Sequence, residues 1–253
     1  MRIENKVALI TGAAMGIGAG IAQRFVEAGA IVVVFDINAE RARSTAQDLG
    51  RTGRTLAIHG DVANEDDVRS AIDRTVAEFG ALDVLVNNAG IDLVTPVVEL
   101  TSANWDRQLA VNLKGAFLFC KYAIPRMRGR GGAIVNISSV RAFVSYAGDA
   151  AYEASKAGLI ALTRAVALHY GRDGIRVNAV CPGYISTPMT DEWLASKPDP
   201  AAALQQMLSF HPLGRIGTPQ DVADAALFLA SDAASFISGT YLVVDGAMTA
   251  AGH

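Results

Sequence analysis

Short runs rich in valine and isoleucine place the tightest constraint on how this chain can fold. Several of the runs are apolar at successive positions, whereas a strand with one solvated face alternates apolar and polar residues. The unbroken pattern is typical of strands buried on both faces, as in a parallel sheet covered by helices on each side. The predicted strands cover residues 7–11, 31–36, 55–61, 84–87, 133–138, 176–181 and 241–244.

Longer amphipathic stretches separate these strands. The predicted helices cover residues 17–28, 66–79, 102–120, 152–170 and 219–230, and Thr218 with Pro219 is typical of a helix start. The alternation predicts an α/β, doubly wound Rossmann-type fold with helices on both faces of the sheet and right-handed crossovers. Because no repeat or linker divides the 253 residues, we expect 1–253 to form a single domain.

The composition limits the classes of partner. Hydrophobic residues make up 51% and charged residues 19%, which predicts a globular core. The net charge of −3 and the lack of a basic stripe argue against nucleic acid. No apolar run reaches the roughly 18 residues of a membrane helix, and residues 1–4 leave no room for a signal peptide. We therefore expect a cytoplasmic protein with a small-molecule partner.

The cysteines and histidines give no indication of a metal site. Cys120 and Cys181 lack metal-ligand spacing, and reduced thiols are the simplest interpretation of two cysteines. His59, His169 and His211 fall at a predicted strand, a helix end and a loop, also without ligand spacing. We therefore predict no catalytic metal.

A glycine cluster follows the first strand. Gly12, Gly16 and Gly18 stand in the pattern Gly-x3-Gly-x-Gly where the strand turns into a helix. Glycine allows a tight turn and close approach of a ligand, and the helix start offers free N–H groups to a pyrophosphate. The alternative interpretation is a tight turn that binds nothing.

An acidic residue ends the second strand. Asp36 lies about twenty residues after the turn, where a carboxylate accepts hydrogen bonds from the adenosine ribose and repels a 2′-phosphate. No basic residue stands at Met15 or Ile37, and Arg41 and Arg43 lie further on, on the next helix. The pattern favours NAD over NADP. The alternative is that Asp36 is an ordinary helix N-cap.

Taken together, the motifs resemble the short-chain dehydrogenase/reductase family. They are residues 11–18, 61–62, 87–90, 112, 139, 152, 156 and 182–183, and the similarity extends from 7 to 246. The resemblance implies a seven-stranded parallel sheet and a homotetramer. It also implies a cofactor site formed by Gly12, Met15, Gly16, Ile17, Gly18, Asp36, Asp61, Val62, Asn88, Ala89, Gly90, Tyr152, Lys156, Pro182, Gly183, Ile185 and Thr187. Asp61 and Val62 are implied at the adenine, and the last four residues at the nicotinamide.

A tyrosine and a lysine suit the chemistry of hydride transfer. Loss of a hydride from an alcohol carbon requires a base at the hydroxyl, and a free tyrosine titrates near ~10. Tyr152 and Lys156 are four residues apart on a predicted helix, so the ammonium can stabilise the phenolate. The family resemblance adds that Lys156 also binds the nicotinamide ribose. The alternative is an unremarkable surface pair.

Two further residues complete the predicted catalytic group. Ser139 ends a strand thirteen residues before Tyr152, and its hydroxyl can hydrogen-bond the substrate oxygen. Ser138 is the competitor, but alternation along the strand lets only one of the two face the site. The family resemblance implies that Asn112 interrupts its helix and holds a water in a proton relay. The alternatives are a loop-capping serine and an ordinary polar helix residue.

The substrate wall is less well defined. The candidates follow Gly90 and Ser139 or lie in residues 187–212, a proline-rich segment that we predict to be a substrate lid with a short helix inside. They are Asp92, Leu93, Arg141, Phe143, Tyr184, Met189 and Trp193. Arg141 can bind a carboxylate or phosphate of the substrate, and the alternative is a solvated loop arginine.

These features predict an NAD-dependent oxidoreductase that transfers a hydride between the cofactor and a small secondary alcohol or ketone, in the direction of oxidation. An NADP-dependent ketoreductase similar to 3-oxoacyl-carrier-protein reductases is the second hypothesis. An NAD-sensing binding protein and a structural subunit are the hypotheses from other classes. The complete set of Ser139, Tyr152 and Lys156 argues against both, because neither needs a base at the nicotinamide.

Overall fold

The strands form one parallel sheet whose order is β3-β2-β1-β4-β5-β6-β7 in a computed structural model that describes residues 1–250. The last three residues of the predicted domain lie outside the described part. The strands are β1 (Val7–Thr11), β2 (Ile31–Asp36), β3 (Thr55–His59), β4 (Val84–Asn87), β5 (Gly132–Ile137), β6 (Ile175–Pro182) and β7 (Tyr241–Val244). The predicted doubly wound, seven-stranded fold is confirmed.

Four of the predicted strands have the predicted bounds, and three differ at their ends. β3 stops at His59 because the Asp61 amide turns away to the Asp67 carboxylate, at 2.9 Å. β5 begins and ends one residue earlier than predicted, and β6 is one residue longer at each end. The differences follow from local hydrogen bonds at strand ends, which the apolar pattern does not record.

Nine α-helices surround the sheet in the described residues. They are α1 (Gly16–Glu27), α2 (Ala39–Gly50), α3 (Glu65–Phe79), α4 (Ser102–Leu109), α5 (Gly115–Met127), α6 (Ala150–Tyr170), α7 (Pro188–Ala195), α8 (Pro200–Ser209) and α9 (Pro219–Ala230). The bounds of α9 are those predicted, and the Thr218 side chain caps it in a reciprocal pair with Asp221. The helix predicted over 102–120 extends to Met127, and a π-helical turn at Ala110–Lys114 divides it into α4 and α5.

Two apolar cores explain why the strands are apolar at successive positions. In β1, Ala8 and Ile10 pack in the core that contains Phe25 of α1 and Leu227 of α9. Leu9, between them in sequence, packs in the opposite core with residues of α3, α5 and α6. Neighbouring side chains of a strand point to opposite faces, so both must be apolar when helices cover both faces.

The proline-rich segment 187–212 folds into two short helices rather than one. Thr187 caps α7 and Asp199 caps α8, and each helix has proline at its first position. The segment follows β6 directly, which brings it to the edge of the sheet where the strands end. In residues 1–250, no helix combines the length and apolarity needed to cross a membrane.

Candidate active site

A cavity of about 930 Å³ opens at the carboxyl ends of the strands. Its floor lies where the chain leaves β1 and β4 in opposite directions, the usual ligand position in open α/β sheets. Most of the residues predicted for the site line this cavity. They are Gly12, Met15, Gly16, Ile17, Asp36, Asp61, Val62, Asn88, Ala89, Gly90, Ser139, Arg141, Tyr152, Lys156, Pro182, Gly183, Tyr184, Ile185 and Thr187.

Several predicted residues lie elsewhere. Gly18 and Asn112 do not line the cavity, whereas the preceding residues, Ile17 and Val111, do. Of the wider substrate candidates, Leu93 and Phe143 do not line the cavity. Phe143 packs against Tyr241 instead, with ring centroids 4.8 Å apart. Asp92, Met189 and Trp193 do line it.

Steric fit defines the glycine turn. Gly12 has φ +62° and Gly16 has φ +55°, in the left-handed region that favours glycine. A Cβ on Gly18 would overlap the Gly12 carbonyl oxygen and come within 2.6 Å of the Asn88 amide nitrogen. Asn88 Nδ2 donates to the carbonyls of Thr11 and Gly12, at 2.9 and 3.0 Å. The turn is therefore fixed against the end of β4.

The start of α1 faces the cavity without a side-chain cap. The side chain of its N-cap, Met15, accepts no hydrogen bond from the amides of the helix, and the first turn contains no acidic residue. The first amides of the helix therefore keep their N–H groups and the positive end of the dipole for a ligand. The small residues and free amides fit the pyrophosphate of a dinucleotide.

Asp36 lines the cavity at the end of β2. One carboxylate oxygen accepts from the Ala14 amide at 3.0 Å and the other from the Asn38 amide at 2.9 Å. The alternative role of helix N-cap is wrong, because the Asn38 side chain caps α2 through the Arg41 amide. Since a carboxylate has about four acceptor sites, Asp36 keeps capacity for ribose hydroxyls.

Arg41 lies closer to the turn than the sequence indicates. Its Nη1 is 3.6 Å from the Met15 sulfur, so its guanidinium stands beside the cofactor turn. Position in the sequence alone put Arg41 beyond reach, because the return of α2 toward the turn is a property of the fold. A positive charge therefore lies near the Asp36 end of the cavity.

The predicted catalytic side chains meet in one wall. Ser138 and Ser139 both line the cavity, but Ser138 donates its hydroxyl to the Lys156 carbonyl at 2.9 Å, which leaves the Ser139 hydroxyl for a ligand. The Ser139 hydroxyl accepts from the Arg141 amide at 3.2 Å. Lys156 Nζ lies 5.4 Å from the centre of the Tyr152 ring and donates to the Ile137 carbonyl at 2.9 Å. The helical spacing brings the tyrosine and the lysine together as predicted.

Burial sets the ionisation of this group. It lowers the pKa of Lys156 to about 8. It also raises the pKa of Tyr152 well above its ordinary value, and Asp92 raises it further, while the Ser139 hydroxyl acts in the opposite direction. The buried phenol therefore ionises less readily than a free one, and positive charge such as that of Arg141 acts in the opposite direction.

Asn112 lies in the π-helical turn and is buried. Its amide donates to the Ile91 carbonyl at 2.9 Å and to the Ser155 hydroxyl at 3.1 Å, and its oxygen accepts from the Ile91 amide at 2.8 Å. The side chain therefore ties the loop after Gly90 to α6. The water relay implied by the family stays a prediction.

Arg141 is enclosed by side chains that the sequence did not indicate. Its Nη1 lies 3.0 Å from the Asp149 carboxylate, and its guanidinium stacks 3.5 Å above the Tyr146 ring. Its Nη2 is 3.5 Å from the Tyr184 hydroxyl. Because the side chain is only 15% exposed, the solvated-loop interpretation is wrong. The one local signal of this ion pair in the sequence is the acidic residue Asp149 just before α6.

His211 is also buried, which its loop position did not indicate. Its Nδ1 is 2.7 Å from the Met207 carbonyl, and its ring packs beside Tyr184 at 5.9 Å. These contacts give His211 a structural role in the wall beside Tyr184. In residues 1–250, no group of three or more His, Cys, Asp or Glu side chains is arranged to hold a metal ion.

Known proteins match the chain over nearly its whole length. The family model described as enoyl-(acyl carrier protein) reductase matches residues 12–249. A cis-4-hydroxycyclohexanecarboxylate dehydrogenase of Sinomonas cyclohexanicum is 46% identical over 97% of each chain. A 3-oxoacyl-[acyl-carrier-protein] reductase of Thermotoga maritima is 40% identical over 98% of this chain and 99% of its own.

A solved structure from Burkholderia xenovorans, described as a short-chain dehydrogenase/reductase, has a TM-score of 0.96. It is 40% identical in sequence and covers 100% of this chain and 99% of its own. The structural match agrees with the fold described above. The chain belongs to the short-chain dehydrogenase/reductase family, whose oxidoreductases act on alcohols and ketones with a nicotinamide cofactor.

Proposed function

We propose that the protein is an NAD-dependent dehydrogenase that oxidises a small secondary alcohol to a ketone, with Tyr152 as the acid and base. The observation that carries the proposal is the meeting of Ser139, Tyr152 and Lys156 in one wall of the cavity that also holds the glycine turn and Asp36. The reacting oxygen of the substrate lies between the Ser139 and Tyr152 hydroxyls. The Ser139 hydroxyl stabilises charge on that oxygen.

When bound in the cavity, a nicotinamide dinucleotide would supply the hydride acceptor and a positive charge beside Tyr152. The chain's own residues handle the proton. Tyr152 takes the alcohol proton as the hydride leaves and returns a proton to the ketone in the reverse direction. Lys156 holds a positive charge one helical turn away, which favours the phenolate. Asn112 positions the loop on the far side of Lys156.

The preference for NAD rests on Asp36. Its carboxylate is directed to the cavity at the adenosine end, where it accepts from ribose hydroxyls and repels a 2′-phosphate. NADP-dependent reduction of a ketone remains the second candidate. The position of Arg41 beside Met15 favours it, since a guanidinium there can neutralise a phosphate. The reductase from Thermotoga maritima is a relative whose name gives that kind of activity.

The experiment is a kinetic comparison of NAD and NADP against secondary alcohols, with Tyr152→Phe as the test variant. We expect turnover with NAD, and a loss of kcat in Tyr152→Phe on the order of 10³-fold, because the proton acceptor is removed. Tyr170→Phe is the matched control: it removes a phenol at the far end of α6, outside the cavity lining, and should keep most of the activity. Higher kcat/KM with NADP would support the reductase instead. Tight NAD binding without turnover of any alcohol or ketone would support the sensor hypothesis.

We also propose that 187–212 is a substrate lid. Thr187, Met189, Trp193 and Met207 of this segment line the cavity, which supports a role in covering it. Tryptophan fluorescence tests the lid, since Trp193 lies in it and Trp105 lies in α4. A change on addition of cofactor and alcohol that is absent in Trp193→Phe is the expected result.

We also propose that the protein is a homotetramer. Phe117 on α5 is 47% exposed and Leu168 on α6 is 88% exposed, which supports packing of these helices on a neighbour. Light scattering of the purified protein measures the mass of the assembly. A monomer of about 26.5 kDa would contradict the proposal.

A further inference from the structure

Asp92 is a carboxylate held in the wall of the cavity without a cationic partner. Gln108 Nε2 approaches its Oδ1 at 3.4 Å, and no ion pair involves Asp92 in residues 1–250. Its position is fixed from behind, because Asn112 holds both backbone groups of the preceding residue, Ile91. Gln108 is itself fully buried, so the support is rigid.

The arginine of the same wall is already paired. The Arg141 guanidinium lies 3.0 Å from Asp149 and 4.0 Å from Glu153, and it is stacked on Tyr146. Two carboxylates, Asp92 and Asp149, line this part of the cavity together with the cationic side chains of Arg141 and Lys156, and the Glu153 carboxylate lies outside the lining, beside Arg141. A substrate carboxylate that approached Arg141 would have to displace Asp149 and would meet Asp92 as well.

Asp92 lines the same cavity as the Ser139 and Tyr152 side chains. Its charge acts on both Tyr152 and Lys156, and it raises the pKa of each. A carboxylate at such a position accepts hydrogen bonds and gives none, so it selects groups that carry a donor. A hydroxyl near the reacting carbinol supplies that donor without adding charge.

We propose that Asp92 accepts a hydrogen bond from a second hydroxyl of the substrate, so that the enzyme takes neutral diols and polyols and rejects hydroxy acids. This inference rests on the proposed function, because Tyr152 marks the place of the reacting carbinol. Arg141 then serves as a positioning residue, which orders Tyr146 and Tyr184 around the second hydroxyl while Asp149 neutralises its charge.

Three four-carbon substrates test the inference with NAD as cofactor. Butan-2-ol, butane-2,3-diol and 3-hydroxybutanoate all contain a CH₃–CH(OH) group, and they differ in the presence of a second hydroxyl or a carboxylate. We expect kcat/KM for the diol to exceed that for butan-2-ol by about 10-fold or more, and the acid to be the poorest substrate. Asp92→Ala should lower the ratio of diol to butan-2-ol about 10-fold.

Asp92→Asn distinguishes the effect of the Asp92 charge on substrate selectivity from the effect of the side chain's shape. It keeps an acceptor oxygen but removes the charge, so we expect the acid to improve relative to butan-2-ol. The matched control is Asp48→Asn, on the exposed surface of α2, which should leave all three ratios as they are. Equal ratios for wild type and Asp92→Ala, or a wild-type preference for the acid, would overturn the inference and leave the proposed dehydrogenase intact.

Saturation-transfer NMR covers the case in which the proposed function itself fails. The diol and butan-2-ol are then compared as ligands of the NAD-loaded protein and of its Asp92→Ala variant. Preferential binding of the diol that is lost in the variant supports the inference even without turnover. Binding of both molecules with no effect of Asp92→Ala, or binding of neither, refutes it.

Discussion

The two ends of the cavity are built by different means. The cofactor end is formed largely by backbone: the turn from Gly12 to Gly18, the free amides of α1 and the loop after β4. The substrate end is formed by charged and aromatic side chains that come from separate loops, among them Asp92, Arg141 and Tyr184. Steric fit therefore governs one end, and electrostatic balance governs the other.

This difference has a practical meaning. A site built from backbone tolerates few changes in residue size, because the atoms in contact cannot move aside. A site built from ion pairs and stacked rings keeps its fold when side chains are exchanged, but its selectivity changes with each charge. Substitutions at both ends of the cavity therefore test this contrast.

Gly18→Ala is expected to have the largest effect, at the cofactor end. The added Cβ would overlap the Gly12 carbonyl and crowd Asn88, so the turn must shift. Strain of this kind is worth roughly 1–3 kcal/mol, and we expect Kd for NAD to rise up to about 100-fold in calorimetry. Gly171→Ala is the control, because a Cβ there meets nothing within 4 Å. Unchanged NAD binding in a folded Gly18→Ala protein would contradict the steric account.

Arg141→Met tests the ion pair at the substrate end. The change leaves Asp149 buried without its partner, and we expect a loss of about 2 kcal/mol of unfolding free energy at pH 8 in chemical denaturation. Since burial raises the pKa of Asp149 and Arg141 lowers it, protonation should reduce the loss at pH 5. The double variant Arg141→Met with Asp149→Asn should recover most of the stability. A double variant as unstable as the single one would show that the pair is not the cause.

Asp36→Ala tests the cofactor end of the cavity at a position where a charged side chain, and not the backbone, faces the ligand. We expect kcat/KM for NAD to fall about 10-fold and the preference over NADP to shrink, as hydrogen bonds to a charged group are worth about 1.5–3 kcal/mol. Asp36→Asn keeps the acceptor for the Ala14 amide and serves as the control for the shape of the turn. A variant that retains the full preference for NAD would move the source of selectivity to other residues.

Asp92→Asn should cause the smallest change of the four, a small increase in the free energy of unfolding. Burial, followed by Asp149, raises the pKa of Asp92 from 3.8 to about 6, so folding takes up a proton between these two values. The ionised carboxylate then destabilises the folded state above about pH 6. Because the residue is partly exposed, we expect a gain on the order of 1 kcal/mol at pH 8 and a smaller gain at pH 5. A gain of equal size at both values would exclude the charge as its origin.

The cofactor end was largely predictable from the sequence, for a physical reason. Gly12 and Gly16 lie just after the end of β1, and Asp36 is the last residue of β2. A parallel sheet brings its strand ends together at one edge, so these residues are neighbours in space. The exact ends of β3, β5 and β6 were not predictable, because single hydrogen bonds decide them. Helix α2 received no predicted bounds, since it buries only Ala42 and Ala46 and has no run of large apolar residues to mark its buried face.

The substrate end was predictable only in outline. Arg141 and Tyr184 were identified as wall residues, but the pairing with Asp149 depends on how two loops meet. Gln108 supports Asp92 from a different element, and no sequence pattern links the two. Spacing predicts contacts within a helix or between strand ends, whereas the partners of a loop side chain are a result of the tertiary fold.

The π-helical turn at Ala110–Lys114 gives the site a sensitivity to chain length. A π turn contains one residue more than an α-helical turn needs, so a deletion of one residue would restore the regular helix. The helices on both sides would keep their relative orientation, whereas the side chains of the turn itself would point in new directions. Asn112 would then lose its hydrogen bonds to Ile91 and Ser155. The length of the chain between α4 and α5 therefore controls how the loop that carries Asp92 is held.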